Sequence, residues 1–425
     1  MGDAATRTAI EAVWRIESAR LIGGLVRVVR DVALAEDLAQ EALITALERW
    51  PESGIPENPG AWLMATAKNR AIDHLRRRQM QDRKHDEIGD ADSETPSAQF
   101  DLDAVIDDSV GDDLLRLIFI ACHPVLSKEA RVSLTLRLLG GLTTDEIARA
   151  FLVPEPTIAQ RIVRAKRTLA EARVPFDVPR GSELSARLSS VLEVIYLVFN
   201  EGYAATAGDD WTRPELCEEA LRLGRILAEL VPDEAEVHGL VALMELQASR
   251  LRARVGPSGE PILLLDQDRS RWDQLLMRRG LAALARAESV KKPLGPYALQ
   301  AAIAGCHARA RTADETDWKR IVALYDALVE LTGSPVVELN RAVAVSMAFG
   351  PAAGLELVDA LVSEPALRSY HLLPSVRGDL LMKLGRHAEA RADFERAAAM
   401  AQNSRERKLL LSRAAACSGP RTIPS

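Results

Sequence analysis

The residues best equipped to act on another molecule lie in two basic stretches. In the first, Asn58-Pro59-Gly60-Ala61-Trp62 leads into Asp73-His74-Leu75-Arg76-Arg77-Arg78 with no further proline or glycine after Gly60. Asn58 suits an N-cap and Pro59 a first turn, so the spacing predicts one uninterrupted helix. On a helical projection, Met64, Ala67, Ala71 and Leu75 share one face, and Trp62, Thr66, Asn69, Asp73 and Arg76 the opposite one. An indole can stack on a base, amide and hydroxyl groups can read base edges, and guanidinium groups can hold phosphates. Together these are the means of gripping single-stranded or opening DNA. A solvated helix with a buried tryptophan and an Asp73–Arg77 ion pair would carry the same residues.

The second basic stretch runs from Thr157 to Glu171. Ile158, Ile162, Ala165 and Leu169 fall on its inward face, and Thr157, Gln160, Arg161 and Arg164 on its outward face, with Lys166 and Arg167 flanking. Before it, Gly140-Gly141-Leu142-Thr143-Thr144-Asp145-Glu146-Ile147-Ala148 predicts a short helix with a threonine cap, and Val153-Pro154-Glu155-Pro156 a turn. That is a helix-turn-helix, whose second helix enters a major groove N-terminus first.

The elements that must position these residues also carry charge. Residues 31–50 read as a helix with Leu38, Ala42, Leu43, Ala46 and Leu47 inward and Asp37, Gln40, Glu41 and Glu48 outward. This acidic helix followed by the Trp62 helix resembles region 2 of the extracytoplasmic-function (ECF) sigma factors of the sigma-70 family. The resemblance rests on Asp37-Leu38-Ala39-Gln40-Glu41 and on the Ala61-Trp62-Leu63 and Asn69-Arg70-Ala71-Ile72-Asp73-His74-Leu75-Arg76-Arg77 runs. The helix-turn-helix is similar to region 4 of the same family. One departure is Leu152, which stands where the common pattern places glycine, and the run 150–157 looks like the variant of the ECF group with a long C-terminal helical extension. The resemblance implies that Asp37, Leu38, Gln40 and Glu41 meet core RNA polymerase. It implies that Trp62, Asn69, Asp73, Arg76, Arg77 and Arg78 meet a melting promoter −10 element, with the loop 51–57 holding an extruded base. By the same likeness, Thr157, Gln160, Arg161, Arg164, Lys166 and Arg167 meet the −35 element.

With 425 residues, the chain is too long for two such modules. Its net charge of −7 is unusual for a protein that binds DNA by basic surface alone, so the charge must be segregated. Asp82 to Asp113 is strongly acidic, poor in large apolar residues, and reads as an extended linker. From Glu183 onward, Ala, Leu, Arg and Glu dominate with i, i+3, i+4 apolar patterns and hardly any strand-like alternation. Gly378, Leu381, Gly385, Ala390, Phe394 and Ala397 match the small-large-small spacing of a tetratricopeptide (TPR) repeat. A degenerate copy lies around Leu339 to Leu361, with Gly350 in the place of Gly385. The stretch Asp266-Gln267-Asp268-Arg269-Ser270-Arg271-Trp272-Asp273 resembles a recurring motif of the same extended ECF group; it suggests a solvated loop fixed by Asp–Arg pairs and an Asp-capped helix starting near Ser270, with a ligand or partner site as the alternative.

The expected fold is all-α: a region 2 domain at 1–80, an acidic linker at 81–112, a region 4 helix-turn-helix domain at 113–175, a helical block at 183–292, and TPR-like repeats at 296–417. A Pro/Gly-marked joint at 174–182 sets off the second half. Cys122, Cys217, Cys306 and Cys417 are far apart, and the histidines form no ligand spacing, so neither a disulfide framework, a metal site nor a cofactor is expected. His123 reads as a structural residue. No phosphate-binding loop or nucleophile elbow stands in a supporting context, so no catalytic residue is assigned. No apolar run is long enough to span a membrane and no cleavable signal opens the chain, which points to the cytoplasm. The expected function is a sigma factor that directs core polymerase to promoter DNA, with the extension regulating it in cis and its repeats open to a protein partner. The alternative is a helix-turn-helix/TPR regulator that binds duplex DNA without polymerase, for which the Asp37–Glu41 helix and the Trp62/Asn69 face would have no use.

Overall fold

The computed structural model describes residues 3–86, 110–151, 153–179, 181–204, 212–257, 260–290, 292–401 and 403–417. Most of the acidic linker, and Leu152, lie outside the described residues. The chain divides into two compact units, 1–195 and 196–425. Among the described residues it is all-α, with no strand beyond an isolated bridge between Val255 and Pro261.

In the first unit, α1 (Asp3–Val29) packs on α2 (Val32–Ser53) and α3 (Pro59–Asp86). Asp31 caps α2 by accepting from the amides of Ala33 and Leu34 at 2.7 and 3.0 Å, and Asn58 caps α3 by accepting from Ala61 at 3.0 Å. Ile22, Leu25, Ala35, Ala42, Leu63 and Ala67 close the core between these three helices. Next come α4 (Val110–Ala121), α5 (Lys128–Leu138), α6 (Thr144–Phe151) and α7 (Glu155–Glu171). Helix α6 starts in a reciprocal capping box: Glu146 N donates to Thr143 Oγ1 at 3.1 Å, and Thr143 N to Glu146 Oε2 at 2.8 Å. Helix α7 begins at Glu155 with Pro156 in its first turn, two residues before the sequence-based start.

The division between units falls inside α8 (Ser182–Tyr203), beyond the Pro-marked joint. The first part of α8 is built into the first unit by polar contacts. Arg187 Nη2 donates to the Phe119 carbonyl at 2.8 Å, Ser190 Oγ to the Cys122 carbonyl at 2.6 Å, and Arg131 pairs with Glu193 at 3.2 Å. These groups are largely buried, so each would be costly to leave unpaired. His123 sits in this corner as a structural residue, with Nδ1 accepting from Val125 N at 3.1 Å; burial and Arg187 hold its pKa down at about 4.

The second unit stacks α9 (Pro214–Leu230), α10 (Ala235–Ala248), α11 (Gln274–Ser289), α12 (Pro296–Arg309), α13 (Trp318–Thr332), α14 (Pro335–Phe349), α15 (Pro351–Leu361), α16 (Leu372–Lys383), α17 (His387–Met400) and α18 (Ser404–Ala416). Helix α10 packs on both α11 and α12, so the packing continues across 292–296. The repeat glycines do what the spacing predicted. Gly350 and Gly385 end α14 and α16 at φ 102° and 74°, where a side chain would be strained. Gly378 lies against Phe394: a Cβ there would approach that ring to 3.1 Å.

Candidate polymerase and nucleic-acid interface

Helix α2 presents Asp37 and Glu41 to solvent, with Gln40 half-buried. Leu38 is different: it is 5% exposed and belongs to the core, so its side chain cannot meet a partner without unpacking. Glu41 pairs with Arg70 of α3, which also donates to Thr45 Oγ1 at 2.7 Å. Along the same exposed side stand Ile44 and Leu47, 54% and 40% exposed. Helical periodicity alone sets Leu47 inward, and the packing turns it to solvent. Two solvent-facing aliphatics beside two carboxylates make an apolar centre with an acidic rim, the composition of a docking surface.

On α3, Asn69, Asp73, Arg76 and Arg77 are exposed, and the helix extends through Arg78, whose side chain lies outside the described residues. Asp73 and Arg77 form no ion pair with each other among the described residues, so the charges of this face stay available. Trp62 is half-buried and stands edge-on to the buried Trp50, with ring centroids 5.3 Å apart and planes at 68°. The indole is thus braced from behind while part of it meets solvent. The inward face is Leu63, Ala67 and Ala71, with Met64 and Leu75 at its half-buried margin. Helix α2 runs on through Pro51 to Ser53, which leaves only Gly54 to Asn58 as the turn into α3.

Helix α7 buries Ile158, Ile162, Ala165 and Leu169, the four residues its periodicity set inward. Thr157, Gln160 and Arg164 are exposed, Arg161 is half-exposed, and Arg167 is exposed in an ion pair with Glu171 at 2.6 Å. Val163, 64% exposed among them, adds an apolar group of the kind that contacts a thymine methyl. Lys166 faces the other way. Its ammonium pairs with Glu36 of α2, and Arg137 of α5 donates to the same carboxylate at 2.7 Å, as does Gln40 at 2.8 Å. Burial alone would raise the pKa of Glu36, but Lys166 and then Arg137 outweigh it and hold the group below the ordinary glutamate value. Lys166 is therefore a structural ion-pair partner here, separate from the exposed Thr157/Gln160/Arg164 face. Arg15 of α1 adds a second tie to the helix-turn-helix, reaching Glu146 at 2.9 Å.

All four cysteines are free and buried, and no group of metal-ligating side chains occurs among the described residues. No helix there is long and apolar enough to cross a membrane.

An acidic, apolar-centred helix beside a basic aromatic one is joined in one chain to a helix-turn-helix, the order of elements expected of sigma regions 2 and 4. The family models agree: Sigma-70 region 2 matches residues 16–80, and Sigma-70, region 4 matches residues 116–169. A family of unknown function, DUF6596, matches residues 187–288. The chain is 44% identical to an uncharacterized protein of Rhizobium meliloti over 91% of its own length and 90% of that protein's. It is 30% identical to the probable ECF RNA polymerase sigma factor SigI of Mycobacterium tuberculosis, over 40% of this chain and 57% of SigI. With the ECF RNA polymerase sigma factor SigK of Mycobacterium ulcerans it shares 29% identity over 35% of this chain and 78% of SigK. The chain belongs to the ECF sigma factors of the sigma-70 family, and carries a helical extension after region 4.

Proposed function

We propose that this sigma factor is regulated in cis by its C-terminal extension, acting through region 4. The observation that carries this reading is the seating of α8, the first helix of the extension, on α4 and α5 through Arg187, Ser190 and Glu193. In this reading residues 1–80 dock core polymerase through Asp37, Gln40 and Glu41, joined by Ile44 and Leu47. Trp62 and Asn69 hold unpaired bases of the −10 element, with Asp73 and the arginines at 76–78 beside them. Stacking on an aromatic supplies roughly 1–3 kcal/mol per base, enough to bias a melted bubble without any covalent step. Residues 113–175 read the −35 element through Thr157, Gln160, Arg161 and Arg164, with Arg167 on a phosphate. The linker at 81–112 tethers the two readers. The site of action is the cytoplasm, and the TPR-like repeats at 296–417, following the helical block at 183–292, dock a protein segment.

Run-off transcription with purified core polymerase tests the proposal. Full-length protein is compared with a chain ending at Tyr203, which keeps α8 whole, and with Arg187→Ala in the full-length protein. Regulation in cis predicts that both change promoter output with α1–α7 still folded. Equal output from all three, with folding verified, overturns it.

A further inference from the structure

The segment from Asp266 to Asp273 has no part in the roles above, and it folds differently from a loop tied by Asp–Arg pairs. Asp268 accepts from Ser270 N and Oγ at 2.9 and 2.7 Å, and Asp273 caps α11 through the amides of Leu275 and Leu276. Both carboxylates are thereby committed to local turns. The arginine and the tryptophan turn inward instead. Trp272 is 3% exposed, with the Arg269 guanidinium 4.8 Å and the Arg250 guanidinium 5.7 Å from its ring centroid. Arg269 donates to the carbonyls of His307 and Ala310, at 2.5 and 2.8 Å, and Arg250 to Tyr203 Oη and Gln247 Oε1. Arg254 lies 3.5 Å over the Tyr203 ring.

Positive charge predominates here, although Asp268 lies near enough to Arg271, and Glu315 to Arg269, for each pair to attract. Elsewhere in this unit, Arg213, Arg225, Arg341, Arg377 and Arg413 each pair with a carboxylate. Around Trp272, neither Arg250 nor Arg269, nor the exposed Arg252 and Arg271, has a carboxylate at ion-pair distance among the described residues. Four buried polar atoms in the same corner also lack a hydrogen-bond partner: Arg250 Nε, Trp272 Nε1, His307 Nδ1 and Gln267 Oε1. Such groups cost about 1–3 kcal/mol each and call for a reason. Burial, with Arg250 and Arg269 nearby, holds the pKa of His307 at about 4, so it stays neutral and adds no further charge at pH 7. Beside this wall lies an open pocket of about 580 Å³, lined by Leu251, Arg252, Val255, Ser270, Arg271, Trp272 and Asp273, whose carboxylate is engaged by the α11 amides. That volume suits a small molecule.

We propose that this pocket binds a small ligand bearing oxyanions, carboxylate or phosphate, gripped at its mouth by Arg252 and Arg271 and drawn by the positive wall of Arg250, Trp272 and Arg269. Guanidinium groups bind both kinds of oxyanion by paired donors, and such a ligand would bring the direct ion pair that these arginines lack. The site lies within the DUF6596 match and gives the extension an input of its own.

The experiment is thermal unfolding of the full-length protein, titrated with pyrophosphate or with citrate against sodium chloride at matched ionic strength. At saturation, the expected result is a rise in Tm of about 2–4 °C with at least one of the two anions. Which anion acts identifies phosphate or carboxylate. Arg252→Gln with Arg271→Gln, both on the surface, abolishes the rise and leaves the ligand-free Tm unchanged. Arg161→Ala with Arg164→Ala keeps it, which separates this pocket from anion binding by the DNA-reading helix. No rise beyond the salt control with either anion overturns the proposal. So does a rise that survives the Arg252/Arg271 substitutions or disappears with the Arg161/Arg164 pair.

Discussion

Replacing Glu36 by glutamine keeps its shape and removes its charge at the junction of α2, α5 and α7. The carboxylate is 4% exposed and serves Arg137 and Lys166, whose side chains are 24% and 16% exposed. Removing one member of a fully buried pair costs about 3–5 kcal/mol, because the other charge is left stranded. Here both cations regain part of their hydration, so the expected loss is about 2–3 kcal/mol. The coupling to Lys166 alone, from a cycle with Lys166→Met, should be about 1–2 kcal/mol. Hydrogen exchange of α2 and α7 amides is the suitable assay, since it reads the opening of these two helices locally. The pH dependence gives a second reading. Glu36 titrates below its ordinary value in the folded chain, so its contribution is fully present above about pH 5 and is lost as pH falls through the lowered value. The gap between wild type and Glu36→Gln should therefore close in acid. A coupling under about 0.5 kcal/mol, or a gap unchanged from pH 7 to pH 3, would refute the reasoning.

Asp37→Lys, which disturbs no ion pair among the described residues, should abolish co-purification with core polymerase while far-ultraviolet circular dichroism stays unchanged; retained co-purification removes Asp37 from the docking surface. Arg161→Ala and Arg164→Ala should each cost about 1–3 kcal/mol on a matched −35 sequence and less on a mutated one, and equal losses on both would make them phosphate anchors. Asn69→Ala should lower permanganate reactivity of −10 thymines at unchanged promoter affinity, whereas full reactivity at normal rates would argue against base capture on α3. Cys122, its thiol pushed up to about 11 by burial, should resist iodoacetamide at pH 8 in the folded protein and react only after denaturation; rapid labelling of the native chain would contradict the packing of α4, α5 and α8.

Much of the fold was legible because it is written in local terms. The caps Asp31, Asn58 and Thr143, the inward quartet of α7, and the Gly378–Phe394 and Gly385 positions of the repeat all follow from neighbours within a turn or two. That Asp37, Glu41, Asn69, Thr157, Gln160 and Arg164 face solvent was legible in type and spacing for the same reason. What escaped the sequence depends on partners far along the chain. Glu36 looks like one more surface acid, yet it is buried because Arg137, 101 residues away, and Lys166 neutralise it. Lys166 looks like one more basic residue of a reading helix, yet the covering helix takes it. Periodicity marks the apolar side of a helix but cannot say which polar flank a neighbour will cover, and Arg269 and Trp272 were misjudged on that account. Leu38 shows the converse: its place within a motif suggested contact, while its own apolar phase put it in the core.

The position of α8 bears on how such proteins can be recombined. A graft cut at the proline-marked joint would transfer region 4 without Ser190, Arg187 and Glu193, and would leave the Phe119 and Cys122 carbonyls and the Arg131 side chain with their partners on the wrong side of the scissors. The seam at which sequence alone would place the cut is therefore a poor splice site. Chimeras built on this sigma factor should carry the first half of α8 with region 4, because that half-helix completes the surface of α4 and α5.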